Sequence, residues 1–187
     1  MKTTLLMMSA LLFSATGVRA QQLRLAYYGE TVTHYGLKAG YEIPVGTRHL
    51  RNETVRKEIL FAPGIAVYRH PHNHTGIVVS PELAYRRTGP RGGFYELALA
   101  PSYFRYFLAG TTFEVDETGA FRRVPLAGRN AFLPTVSLGF GKDLSVRKRA
   151  GFSWYARLNL MQQRPYNASS LLRFSLEAGI IKPLKKS

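Results

Sequence analysis

Two stretches near the end of the chain alternate apolar and polar positions without a break. Phe152, Trp154, Ala156, Leu158 and Leu160 are interleaved with Ser153, Tyr155, Arg157 and Asn159. Leu172, Phe174, Leu176, Ala178 and Ile180 are interleaved with Arg173, Ser175, Glu177 and Gly179. A period of two places successive side chains on opposite faces of a β-strand. The alternation also runs through 33–44, 57–69, 76–87, 94–107 and 130–141, and more weakly through 22–29, where Leu23, Leu25 and Tyr27 alternate with Arg24 and Ala26. Turn chemistry separates the runs, at Gly29-Glu30, His70-Pro71-His72-Asn73, Thr88 to Gly92, Asp116 to Gly119, Gly141-Lys142-Asp143 and Pro165-Tyr166-Asn167. The 108–129 stretch reads as a hairpin turning at Asp116–Gly119. The pattern predicts about eight strands in one domain.

The two phases differ in character. One carries Leu, Ile, Val, Phe and Tyr, with aromatics gathered toward the ends of the runs. The other carries Gly, Ala and Ser among charged residues. A soluble barrel would turn that second phase to water, where long polar or β-branched side chains are favoured. Small residues fit a narrow interior instead, and charges among them have to pair. The predicted interior ion-pair network is Lys38, Glu42, Glu82, Arg86, Glu96, Arg157, Arg173 and Glu177. Each strand is long enough to cross a bilayer when tilted, about 9–11 residues being needed. The expected fold is therefore all-β: a single closed antiparallel up-and-down transmembrane β-barrel with a filled interior and no wide pore. Pro63, Pro81, Pro101 and Pro134 each interrupt a strand on the apolar phase, which predicts bulges or bends.

The N-terminus changes the picture by adding a destination. Lys2, the apolar run Leu5 to Phe13 and the small residues of Val18-Arg19-Ala20 form a secretory signal peptide over 1–20, leaving the barrel as 21–187. No later segment approaches the roughly 20 apolar residues of a spanning helix. The net charge is +15, and +13 without Lys2 and Arg19. On an exported chain this excludes nucleic acid as the expected partner. It favours the lipid bilayer with an anionic lipid, lipopolysaccharide or a periplasmic polyanion.

With these strands and this leader, the mature chain resembles a small bacterial outer-membrane β-barrel of the eight-stranded OmpA/OmpX-like kind. The resemblance rests on pattern over essentially the whole mature chain. It implies outer-membrane localisation and a role among structural anchors, adhesins, small pores or lipid-A-modifying enzymes, between which fold alone does not choose. With both termini periplasmic, the connections at 45–56, 88–92 and 142–150 face the periplasm. They gather a basic rim of Arg48, Arg51, Arg56, Arg87, Arg91, Lys142, Arg147, Lys148 and Arg149.

Candidate chemistry is sparse. His70, His72 and His74 crowd one turn, but alternate positions on a turn offer no closed metal site, and no metal or cofactor is expected. Lipid-A-modifying chemistry needs a His with a Ser and an acid. His34 and His74-Thr75 supply histidines without a convincing serine partner, so no catalysis is expected. The alternatives are a lipid-A-modifying barrel enzyme and a soluble, lipocalin-like barrel holding an apolar ligand.

Overall fold

The computed structural model describes residues 21–31, 33–49, 55–148, 150–166 and 169–184. The leader expected over 1–20 lies outside them. Within them are β1 (Gln22–Glu30), β2 (His34–His49), β3 (Arg56–His70), β4 (His74–Thr88), β5 (Gly93–Leu108), β6 (Thr112–Val115), β7 (Phe121–Val124), β8 (Gly128–Asp143), the helical turn α1 (Ser145–Lys148), β9 (Ser153–Tyr166) and β10 (Ser169–Pro183). Eight strands close into a barrel in the order β1-β10-β9-β8-β5-β4-β3-β2. Every neighbouring pair is antiparallel. β1 is paired along its full length to both β2 and β10, although it is the weakest strand by pattern. Closure removes the free edges that a sheet in lipid cannot tolerate.

The strands are longer than the alternation alone predicts. β2 continues to His49 because a register shift between Pro44 and Gly46 inserts one residue and reverses the phase. Arg48 therefore lies on the wall instead of in the connection assigned to it.

Alternation sorts the two faces sharply. Outward positions leave large apolar side chains open, with Leu37 71% and Leu138 59% exposed, while inward Ser102 and Ser175 are fully covered. Small inward residues make room for large ones. The Tyr68 ring occupies the space a side chain on Gly76 would need, and Phe94 does the same over Gly141. Inside, Tyr28, Tyr68, Val78, Phe104, Leu133 and Met161 form a buried apolar layer. This layer is absent from the reading of the inward phase as small and charged.

The four strand prolines do not make bulges. They form one lateral row, Pro63 opposite Pro81 and Pro101 opposite Pro134, on four adjacent strands. Pairing lapses beside the row. The β2–β3 ladder steps from Gly40–Gly64 to Ile43–Phe61, and β4–β5 steps from Val79–Tyr103 to Leu83–Leu99. β8–β9 steps from Phe132–Arg164 to Thr135–Met161. The register is unchanged across each lapse. Proline lacks the ladder donor, so a bond is lost on the side toward which its nitrogen points.

The connections alternate between two ends. The Gly89–Gly92 turn, α1 and the barrel termini lie at one end. The turn at 71–73 and the β6–β7 hairpin lie at the other. The hairpin turns at Asp116, whose carboxylate accepts bonds from the N–H groups of Thr118 at 2.9 Å and Ala120 at 3.0 Å. Together with the Thr118 hydroxyl, these hold its carboxyl below the usual range.

Candidate functional site

Seven of the inward residues read from the alternation meet in one buried cluster in the half of the barrel nearer the termini, and Arg24 of β1 joins them. Arg86 holds Glu42 with two bonds, 2.8 and 2.7 Å, and Glu96 through Nε at 2.9 Å. Arg157 donates to Glu82 at 2.5 Å and pairs with Glu96. Lys38 donates to Glu177 at 2.8 Å and pairs with Glu82. Arg24 pairs with Glu42 and reaches Glu96 at 3.1 Å and Glu82 at 3.6 Å. Four cations thus face four carboxylates.

The local sequence explains the convergence. Lys38 and Glu42 are four apart on β2, Glu82 and Arg86 four apart on β4, so each pair projects inward from one strand. Register then brings the strands together, placing Glu177 opposite Arg157 and Arg86 opposite Glu96. Aromatic rings cover the guanidinium faces: Tyr155 lies 4.7 Å from Arg24 and Phe94 4.7 Å from Arg86. Asn159 caps Glu177 at 2.9 Å and also donates to Ser175.

Arg173 stands apart from this cluster. It lies beyond the apolar layer, at the mouth opposite the termini, where it donates to Glu30 at 2.8 Å, Gln163 at 2.7 Å and the Tyr68 hydroxyl at 2.5 Å. Tyr68 in turn contacts His74 Nε2 at 3.2 Å, and His34 Nδ1 meets the Glu30 carboxylate. The His34 and His70 rings are 3.9 Å apart. Glu30, His34, His70, His74 and Arg173 line a cleft of about 480 Å³ with Phe104, Tyr106 and Tyr166. His72 is exposed at the tip of its turn, away from the others. Among the described residues no group of three His, Cys, Asp or Glu is arranged to hold a metal ion.

The basic rim divides into three settings. Arg56 turns inward and bonds Glu58 at 2.9 Å. Arg48, Arg87 and Lys142 sit at outward positions on strands, and Arg91 is exposed in a turn. Arg51 and Arg149 lie outside the described residues, as do the side chains of Arg147 and Lys148.

The fold is that of the small eight-stranded outer-membrane β-barrels. The chain is similar to the crystal structure of Neisserial surface protein A, with a TM-score of 0.52 and 14% identity over 88% of this chain and 96% of that one. The N-terminal β-barrel domain of Pseudomonas aeruginosa OprF gives 0.45 at 13% identity, over 87% of this chain and 96% of that one. No protein-family model and no curated protein sequence matches the chain.

Proposed function

We propose that this chain is an integral outer-membrane β-barrel, exported by cleavage after Ala20, that acts as a structural or interaction element of the envelope. Catalysis and solute passage are not part of its role. One observation carries this reading: all eight barrel strands close on themselves, with a continuous apolar surface outside and a packed interior. Leu37, Leu83, Leu99, Leu138 and Leu172 stay exposed on five different strands, a spread of apolar surface that marks a wall facing lipid or a partner and not water. That weighs against a soluble, ligand-carrying barrel. The charged cluster and the aromatic layer block the lumen in series, which weighs against a pore.

The test is folding and conductance. The mature protein, refolded into detergent or phosphatidylcholine bilayers, migrates faster on gels unboiled than boiled and gives no stepwise conductance. A protein that remains a monodisperse monomer in plain buffer, or that opens discrete channels, overturns the reading.

A second reading, a lipid-A-modifying enzyme, draws on one feature, the His34–Glu30 pair at the open mouth. Among the described residues the hydroxyls bonded in that cluster reach Glu30 and His74, from Thr31 and Tyr68; none is bonded to His34. A nucleophilic mechanism requires that contact. An unchanged lipid A acyl pattern in cells with and without the protein sets this reading aside.

A further inference from the structure

The outer wall has a different surface at the end that holds the barrel termini. Arg48 of β2 is paired with Lys57 of β3, and Lys57 with Arg87 of β4. All three take outward positions, continuing the phase of Ile59 and Tyr85. Three like charges therefore stand side by side on adjacent strands. Opposed Cβ atoms are about 5 Å apart, and like charges at that spacing repel. The described acid nearest in sequence, Glu58, turns inward to Arg56. Among the described residues none of the three cations forms a salt bridge.

The opposite rim is arranged differently. There the outward Arg105 donates to Asn130 at 2.7 Å and lies 4.9 Å from the Phe107 ring. Arg69 is paired with Tyr35 and Thr75, with no basic neighbour across either ladder.

We infer that Arg48, Lys57 and Arg87 form a binding site for an anionic phospholipid, the phosphodiester set against the three cations and the acyl chains along Val45, Ile59, Leu83 and Tyr85. This rests on the membrane reading above and names a partner for part of the basic rim. Two features select a lipid over a soluble polyanion. The cations leave the wall of the barrel, not the loops, beside outward apolar residues, a placement that suits long stems laid along apolar surface with their charged ends at headgroup level. The surface that continues from them is apolar, with Val45 57% and Leu83 55% exposed. A soluble polyanion has nothing to place there, whereas a phospholipid fills both halves.

The test counts retained lipid. The mature barrel is folded into phosphatidylcholine vesicles containing a minority of phosphatidylglycerol, extracted in mild detergent and examined by native mass spectrometry. Wild type retains phosphatidylglycerol in preference to phosphatidylcholine. The combined Arg48→Gln, Lys57→Gln and Arg87→Gln variant loses that preference by about tenfold or more. Arg69→Gln, at the other rim, keeps it. Equal retention by the triple variant, or equal loss by Arg69→Gln, overturns the site. If the triple variant does not fold, a salt series on wild type decides. Retention falls between about 0.05 and about 0.5 M salt if the site is electrostatic, and a flat series overturns it. Detergent-solubilised barrel that binds inorganic polyphosphate but retains no lipid also overturns it. A chain that never enters phosphatidylcholine bilayers instead refutes the membrane reading, before any lipid is counted.

Discussion

Glu96 is where the three buried arginines of the cluster meet, since Arg24, Arg86 and Arg157 all reach it. Removing one partner of a buried pair leaves uncompensated charge at a cost of about 3–5 kcal/mol. Glu96→Gln keeps the shape and strands positive charge in the interior. It is expected to destabilise the barrel by about that amount, read as a lower urea midpoint in the unboiled-to-boiled gel transition. The residues of this cluster were mostly legible in the sequence, because alternation alone assigns a face. Arg24 was not singled out, although it shares the inward phase of β1. The set that includes Arg173 already balances four cations against four carboxylates, so nothing called for another. Only the fold separates Arg173, which lies beyond the apolar layer with Glu30 and leaves its place to Arg24. That layer was hidden for a related reason. Around Phe104 the chain reads Tyr103, Phe104, Arg105, Tyr106, Phe107, with aromatics on both phases, and a period of two cannot then say which ring faces in.

At the scale of strands, the proline row is the feature that sequence reasoning placed but misread. A proline inside a strand implied a bulge. Four prolines in register instead cost ladder bonds without shifting the strands. Pro81 and Pro101 face each other across the β4–β5 lapse, so neither side has a donor. Pro81→Val with Pro101→Val restores both N–H groups at outward positions suited to a β-branched residue. The double variant is expected to be more stable by about 1–3 kcal/mol, the worth of two bonds, measured by the same urea transition. No gain, or a loss, would mean that the lapse is held open by packing on both sides. The one true irregularity in β2, between Pro44 and Gly46, has the opposite effect on legibility. It reverses the phase, and no count of alternating residues upstream could have put Arg48 on the outer wall.

For the whole molecule, the decisive quantity is the solvent of the outer face. Leu99 sits near the middle of β5, opposite Val136, and is 56% exposed. Leu99→Arg costs about 2–4 kcal/mol when that face meets hydrocarbon near the midplane. A face in water would accept the change within about 0.5 kcal/mol. Equilibrium unfolding of both proteins in phosphatidylcholine bilayers distinguishes the two, and a near-zero difference would count against the lipid-facing wall.

The charged cluster also sets the order in which this chain can become a barrel. Its members come from β1 and β2, from β4 and β5 in the middle of the chain, and from β9 and β10 at the far end, with Lys38 and Glu177 139 residues apart. No partial sheet can complete the network: Arg157 of β9 reaches Glu82 and Glu96, and Glu177 of β10 reaches Lys38, so the first five strands lack one cation and one carboxylate. A ribbon of the first strands would carry Arg24, Lys38 and Glu42 without most of their partners, and hydrocarbon penalises such groups heavily. Loop-closure entropy makes contacts of this separation late ones. Insertion and closure therefore have to coincide: every buried charge has its full set of partners only when the last strand finds the first.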